Sequence, residues 1–281
     1  MNRVPADPPK RAAVGPAPEQ AAERPIFIIG CARSGTTLVR LILDSHPNIS
    51  AGAETKFLPE LGEMVERAHL YSKFDVSRPY VVELMRGFYG RLQSDYMSRR
   101  GKRRWAEKTP AYTMHLTLID ELYPDAQYVH VIRDGRDVVA SHHDRWGYRA
   151  ALGTALRKWR RYVTVARRFG RGLPPDRYHE VRYEDLVREP EKAARELLAF
   201  LGEPWDPQVL AYDSAAHSDL DQVAGLQEER RRSSRDGRLI YASRVQHGAS
   251  LDPLLRMAVW LGGRQLLEEL GYTGRARGPS G

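Results

Sequence analysis

The chain has 281 residues, of which 42% are hydrophobic, so it can form one large domain or two small ones around a packed core. The 44 Lys and Arg residues exceed the 36 Asp and Glu residues, and the formal charge of +8 favours an anionic partner, although a solvated basic surface gives the same count. One cysteine excludes an internal disulfide, and the sequence contains no apolar run of the ~18 residues typical of a membrane span.

Both ends of the chain read as disordered. Residues 1–24 are rich in Ala and Pro and lack the 7–15-residue apolar run of a secretory signal, so we expect a disordered leader. The tail at 273–281, "TGRARGPSG", has the same character. With no signal and one cysteine, we expect a cytoplasmic protein with no membrane partner.

Apolar runs and helix-stop signals predict the elements of the first half. They are a buried strand "IFIIG" at 26–30, a helix at 36–45 that stops near His46-Pro47, a short strand in "NISAG", and a helical stretch at 57–100.

The second half continues the alternation of strands and helices. The predicted elements are a strand in "RWAEKTP", an amphipathic helix in "YTMHLTLIDELYP", a strand "AQYVHVI", a helix in "RDGRDVVASHHDRW", a basic helix at 151–169, a strand with its exit loop in "RYHEVRYEDL", and a helix at 189–202. This order predicts an α/β fold with a parallel sheet covered by helices on both faces. Ligands of such sheets bind beyond the carboxyl ends of the strands, where the chemically rich segments of this chain lie.

The segment "GCARSGTT" is typical of a phosphate-binding loop, but its lysine is missing. The nucleotide loop has the pattern G-x-x-x-x-G-K-[ST], and here Gly30 and Gly35 hold the glycine positions while Thr36 replaces the lysine. This loss argues against ATP or GTP hydrolysis and suits a less charged group, such as a 5′-phosphate that bears a sulfuryl group. The loop offers side-chain donors from Arg33, Ser34, Thr36 and Thr37.

Three segments together resemble the sulfotransferases that use 3′-phosphoadenosine 5′-phosphosulfate (PAPS). "RPIFIIGCARSGTTLVRLILDSHP" resembles their 5′-phosphosulfate loop, "YVHVIRDGRDVVAS" their 3′-phosphate segment, and "VRYEDLVREPEKAARELLAFLG" their third block. The resemblance runs from about Pro25 to Tyr272. It implies a single P-loop-like nucleotide-binding domain at 25–272, with PAPS as co-substrate and no metal.

The resemblance assigns Arg133 and Ser141 to the 3′-phosphate, and an arginine fork beside a hydroxyl suits that anion. The alternative is that Arg133 pairs with Asp134 or Asp137. The resemblance also places Tyr183 against the adenine, where its flat ring could stack, although a tyrosine in the core is the alternative.

For catalysis, the segment "AETK" resembles the "E-T-R" segment of the tyrosylprotein sulfotransferase-like branch, in which the glutamate is the proposed base. This implies Glu54 as general base, with a salt-bridging carboxylate as the alternative. Ala53 and Lys56 depart from the pattern of that branch. By the same resemblance, Lys108 and Arg33 stabilise the leaving phosphate.

Several further residues are weaker candidates. His46 is an alternative base, Cys31 a possible thiol nucleophile, Lys56 a second cation, and Ser243 and Arg244 possible contacts of the 3′-phosphate from a late segment. We expect Trp159 in the core. We expect no metal site at His142, His143 and Asp144, because consecutive residues on a helix do not face one point.

The sequence thus predicts a PAPS-dependent sulfotransferase whose acceptor is a hydroxyl on a small molecule, a sugar or a peptide tyrosine. Two alternatives remain at this point. One is a divergent kinase-like phosphoryl transferase, and the other is a non-enzymatic module that binds a nucleic acid or a sulfated glycan; we expect no nucleic acid as partner. We expect residues 57–104 and 213–250 to line the acceptor pocket, and the oligomeric state stays open.

Overall fold

The computed structural model describes residues 24–212, 245 and 247–272, and its centre is a parallel sheet of five strands. The strands lie in the order β2-β3-β1-β4-β5, and every adjacent pair is parallel. Their bounds are β1 (Ile26–Gly30), β2 (Ile49–Ala51), β3 (Arg104–Glu107), β4 (Gln127–Ile132) and β5 (Tyr178–Arg182). The predicted parallel α/β sheet is confirmed.

Helices flank this sheet. In the described residues they are α1 (Thr36–Ser45), α2 (Leu58–Glu66), α3 (Arg78–Arg99), α4 (Leu116–Leu122), α5 (Gly135–Trp146), α6 (Tyr148–Ala150), α7 (Leu156–Gly170), α8 (Tyr183–Arg188), α9 (Pro190–Leu201) and α10 (Pro253–Glu269). No helix among the described residues is both long enough and apolar enough to cross a membrane.

Alternation along β1 shows why the sheet is covered on both faces. Ile26 and Ile28 pack into a core cluster with side chains of α1 and α9, whereas Phe27 and Ile29 pack into a second cluster with α3, α4 and α7. Successive side chains of a strand point to opposite faces, so a continuous apolar run is stable only where both faces are buried.

Three predicted helices differ in detail from the structure. The stretch at 57–100 is divided into α2, a 3₁₀ segment at Arg67–Phe74 and α3, because Ser77 caps a new helix by accepting the N–H of Tyr80 and Pro79 occupies its first turn. A 3₁₀ turn at Pro110–Met114 precedes α4, and a π-helical turn at Ala151–Ala155 precedes α7. The predicted exit loop after β5 is helix α8.

The carboxyl ends of the strands meet at one edge of the sheet. Gly30 pairs in register with Val131, and Ala51 pairs with Ala106. The segment "GCARSGTT" thus leaves β1, and "AETK" follows β2, at this edge of the sheet. Gly30 has φ +140°, and a Cβ at this position would lie 2.6 Å from the carbonyl oxygen of Val131. Only glycine therefore lets β1 turn into the loop so close to β4.

Of the predicted leader and tail, the structure describes one residue. The leader predicted at 1–24 lies outside the described residues apart from Arg24, which forms an ion pair of 2.9 Å with Asp176 and donates from Nε to the carbonyl of Asp125. The tail predicted at 273–281 also lies outside the described residues.

Candidate functional site

The loop between β1 and α1 has the geometry of an anion site. Arg33 (φ 73°) and Gly35 (φ 98°) are left-handed, and the N–H of Ser34 bonds to the carbonyl of Cys31 at 3.1 Å, so the chain turns tightly before α1 begins at Thr36. Within the described part of the chain, the buried Oγ of Ser34 has no hydrogen-bond partner. An orphaned hydroxyl beside a helix N-terminus fits a phosphate oxygen.

Tyr183 packs directly on this loop. A Cβ at Gly35 would lie 2.4 Å from the Tyr183 ring, so the ring occupies the space that a side chain would need. The guanidinium of Arg133 lies 4.4 Å from the centroid of the same ring. Tyr183 is buried and belongs to the core cluster of α1 and α9, so it has the character of a core tyrosine while it also borders the loop.

The two predicted anion-binding segments contact each other. The Nε of Arg33 donates to the Oγ of Ser141 at 2.9 Å, and Arg133 donates to the carbonyl of Arg33 at 3.0 Å. Arg133 also lies 3.7 Å from Asp137, one of its two predicted alternative partners, whereas Asp134 pairs with Arg136 instead. Arg133 therefore links the loop after β1 to the start of α5.

Buried contacts hold α5 in place beside the loop. Trp159 is fully buried, as predicted, and its Nε1 donates to the carbonyl of Arg133 at 3.0 Å. Gly135 allows this approach, since a Cβ there would lie 2.8 Å from the Trp159 ring. The N–H of Gly248 donates to Asp137 at 2.7 Å, which ties the segment before α10 to α5.

Glu54 and Lys108 form an ion pair at the same edge of the sheet. The Nζ of Lys108 donates to Glu54 at 2.5 Å, and the Glu54 side chain is 35% exposed whereas that of Lys108 is buried. Burial lowers the pKa of Lys108, Glu54 opposes this shift, and the nearby guanidinium of Arg40 adds to it. A carboxylate open to solvent thus lies against a buried amine with weakened affinity for its proton.

The sequence interpretation missed three polar residues that surround this pair. Arg40 is buried on α1 and donates to the carbonyl of Gly52 at 3.0 Å. Thr55 donates to Glu107 at 3.2 Å, and Glu107 is itself buried. The visible signal in the sequence for two of them is adjacency, since Thr55 follows Glu54 and Glu107 precedes Lys108, whereas Arg40 has no such signal.

The weaker candidates lie in structural positions. His46 is buried, with Nε2 2.9 Å from the carbonyl of Pro204 and Nδ1 accepting the N–H of Asn48. Both ring nitrogens are therefore engaged, and neither is placed to take the proton of an acceptor hydroxyl. Burial raises the pKa of the Cys31 thiol to about 12, which disfavours a thiolate nucleophile. Lys56 is exposed with φ 58°.

The remaining candidates are the residues considered for a metal and those of the late segment. No group of three or more His, Cys, Asp or Glu residues in the described segments is arranged to hold a metal ion. His142 is buried, whereas His143 is partly exposed and Asp144 exposed. Ser243 and Arg244 lie outside the described residues.

Comparisons of the sequence identify relatives over most of the described fold. A model of the sulfotransferase family matches residues 25–207. A protein-tyrosine sulfotransferase of Drosophila melanogaster is 32% identical over 200 residues, which are 67% of this chain and 40% of that protein. Protein-tyrosine sulfotransferase 1 of Homo sapiens is 30% identical over 198 residues, 67% of this chain and 54% of that protein. The chain thus spans about half or less of the length of these relatives.

Solved structures agree with the fold. The sulfotransferase domain of an olefin synthase from Synechococcus PCC 7002 superimposes with a TM-score of 0.66 at 23% identity, covering 93% of this chain and 100% of that domain. A mouse sulfotransferase complexed with PAP gives a TM-score of 0.51 at 15% identity, covering 90% of each chain. The resemblance inferred from the loop and strand-end motifs is confirmed, and because the family model covers residues 25–207 of 281, the chain belongs to the sulfotransferase family.

Proposed function

We propose that this protein transfers the sulfuryl group of PAPS to an acceptor hydroxyl. The observation that carries the proposal is the Glu54–Lys108 ion pair, which lies at the same sheet edge as a phosphate-type loop without its lysine. A carboxylate that can take a proton and a cation that can receive a phosphate are the two groups that sulfuryl transfer requires. The kinase-like alternative is disfavoured by Thr36 at the lysine position.

In this proposal the loop holds the 5′-phosphosulfate. The backbone N–H groups at Gly35 and at the start of α1, with the side chains of Ser34, Thr36 and Thr37, would donate to its oxygens. The unsatisfied Oγ of Ser34 supports this placement. Arg133 and Ser141 would hold the 3′-phosphate, and the contacts through Arg33 would couple the two anion sites. Tyr183 would border the adenine.

Catalysis would proceed by in-line displacement. Glu54 takes the proton of the acceptor hydroxyl, the acceptor oxygen bonds to sulfur, and the bond from sulfur to the phosphate oxygen breaks to release the 3′,5′-bisphosphate. Lys108 and Arg33 stabilise the negative charge on that phosphate oxygen. The Glu54–Lys108 ion pair must therefore open, so that the amine faces the leaving group and the carboxylate faces the acceptor.

The relatives favour a phenolic acceptor. Two of them are named protein-tyrosine sulfotransferase, so we propose a tyrosine side chain in a peptide as the first acceptor to test. Small-molecule phenols and sugar hydroxyls are the alternatives, because acceptor loops vary on a shared fold.

The decisive experiment uses isotopically labelled PAPS in EDTA with tyrosine peptides, phenols and sugars, read by mass spectrometry. We expect a sulfated product without added metal. Glu54→Gln should lower turnover at least about a hundredfold on a weakly acidic acceptor, because general-base catalysis typically contributes about 10²–10⁴-fold. Binding of the bisphosphate should stay near wild type. Transfer only from ATP with Mg²⁺ would overturn the proposal.

A further inference from the structure

Two polar pairs lie next to each other along the chain. Glu54 and Lys108 form the ion pair at the edge of the sheet. Their chain neighbours Thr55 and Glu107 bond to each other at 3.2 Å in the interior. Because Thr55 directly follows Glu54 and Glu107 directly precedes Lys108, the position of the Thr55–Glu107 pair constrains the position of the Glu54–Lys108 pair.

Glu107 is the centre of a buried hydrogen-bond network, and among the residues that the structure describes no cationic side chain is in hydrogen-bond contact with it. Its Oε2 accepts from the hydroxyl of Tyr89 at 2.9 Å, from Nε2 of Gln93 at 3.0 Å and from Thr55. Its Oε1 accepts from the hydroxyl of Thr109 at 2.6 Å. Burial raises the pKa of Glu107, and the bonds from Thr109, Tyr89 and Thr55 oppose the rise. Four donors, two on α3 and two in the loops after β2 and β3, thus converge on one carboxylate.

The Thr55 hydroxyl has three partners in this network. Tyr112 accepts the N–H of Leu58 at 3.2 Å, so its own proton can go to Thr55 Oγ1, 2.9 Å away. The Oγ1 of Thr55 also lies 3.0 Å from the hydroxyl of Tyr89, and it donates to Glu107. The side chain of Thr55 is thus held by three polar groups, and a methyl group in place of the hydroxyl would remove all of these bonds.

The segment before Glu54 is held as well. Buried Arg40 on α1 donates to the carbonyls of Gly52 at 3.0 Å and Ala51 at 3.4 Å. Glu54 thus lies on a short irregular segment that is fixed on one side by Arg40 and on the other by the network at Thr55. A segment fixed at both ends keeps the backbone of Glu54 in one place, which limits the positions that its carboxylate can take.

We infer that Thr55 and Glu107 are positioning residues, which hold the chain at Glu54 and Lys108 through the hydrogen bond between them, so that both side chains reach the reacting atoms when the ion pair opens. The inference rests on the proposed function, in which Glu54 is the base and Lys108 the cation. A displacement of about 1 Å at a reacting group can cost about a hundredfold in rate, so loss of this bond should reduce turnover without loss of nucleotide binding.

The test compares Thr55→Val with Thr55→Ser. Valine keeps the shape of threonine and removes the hydroxyl, whereas serine keeps the hydroxyl. We expect kcat to fall roughly tenfold to a hundredfold for Thr55→Val and to recover for Thr55→Ser, with KM for PAPS within about threefold of wild type in both. Equal kcat values for the two variants would overturn the inference.

A matched pair of tyrosines controls for loss of packing. Tyr89→Phe removes a hydroxyl from the network, and Tyr123→Phe removes one that donates to the carbonyl of Arg86 from the same aromatic core cluster. We expect reduced kcat for Tyr89→Phe alone. If both variants lose activity in proportion to their thermal stability, the effect is general destabilisation and the inference fails.

A second measurement does not depend on activity. Lys108 is buried and paired, so an amine-reactive reagent should label it slowly in the native protein, as read by mass spectrometry. Labelling should rise severalfold in Thr55→Val and in Glu54→Gln, which breaks the pair directly, but not in Tyr123→Phe. Unchanged labelling in Thr55→Val with raised labelling in Glu54→Gln would overturn the inference. If labelling rises in Thr55→Val while Glu54→Gln turns over like wild type, the positioning stands and the proposed base is wrong.

Discussion

Arg133 is the residue at which recognition of the nucleotide and integrity of the loop can be separated. It is buried, donates to the carbonyl of Arg33 at 3.0 Å, lies over the ring of Tyr183 and is proposed to bind the 3′-phosphate. Truncation to alanine would remove all three contacts at once. Arg133→Gln is sharper, because it keeps the aliphatic stem and a polar end in this buried position but carries no charge for the phosphate.

The expected magnitude follows from the type of contact. A hydrogen bond to a charged group contributes about 1.5–3 kcal/mol. Loss of one such contact should weaken binding of adenosine 3′,5′-bisphosphate roughly tenfold to a hundredfold. AMP lacks the 3′-phosphate, so it should lose only the effect of a looser loop, about threefold or less. The ratio of the two affinities is therefore the measured quantity.

Calorimetry with both ligands provides the assay, at a temperature well below the thermal midpoint of each variant. Arg136→Gln is the matched control, because Arg136 lies in the same "RDGRD" segment but pairs with Asp134 and the carbonyl of Tyr272. We expect this control to leave the ratio of affinities unchanged. Equal losses for the bisphosphate and AMP in Arg133→Gln would refute the assignment of Arg133 to the 3′-phosphate.

Two further predictions concern stability. Gly35→Ala should destabilise the protein by more than about 1 kcal/mol in denaturant titration, because a Cβ at this left-handed position would lie 2.4 Å from the Tyr183 ring. Gly87 is exposed on α3 with open space around it, so Gly87→Ala should stabilise the protein by about 0.5–1 kcal/mol. The reverse order of stabilities would contradict the loop geometry. Burial lowers the pKa of His142 to about 4, below that of an unfolded histidine, so the unfolded chain binds more protons between pH 6.5 and 4 and stability falls as the pH drops through this range. His142→Gln should reduce this loss of unfolding free energy by up to about 3 kcal/mol, whereas His143→Gln should not. Parallel profiles of stability against pH for the wild type and both variants would show that His142 titrates normally.

Much of the site could be predicted from the sequence because its signals are local. Gly30 and Gly35 at fixed spacing after an apolar strand favour a turn that opens a helix. Alternation of apolar strands and helices predicts a parallel sheet, and a parallel sheet brings the strand ends, with Glu54, Lys108 and Arg133, to one edge. The roles given to Glu54 and Lys108 came from the resemblance to the sulfotransferases.

Tertiary packing decided which of these groups contact one another. Arg33 and Ser141 lie 108 residues apart and bond because β1 and β4 are adjacent in the sheet, a strand order that no local pattern contains. The same holds for Glu54 and Lys108, which pair because β2 lies beside β3. The buried network at Glu107 was invisible in the sequence, because a carboxylate there reads as a surface charge until surrounding donors offset its desolvation.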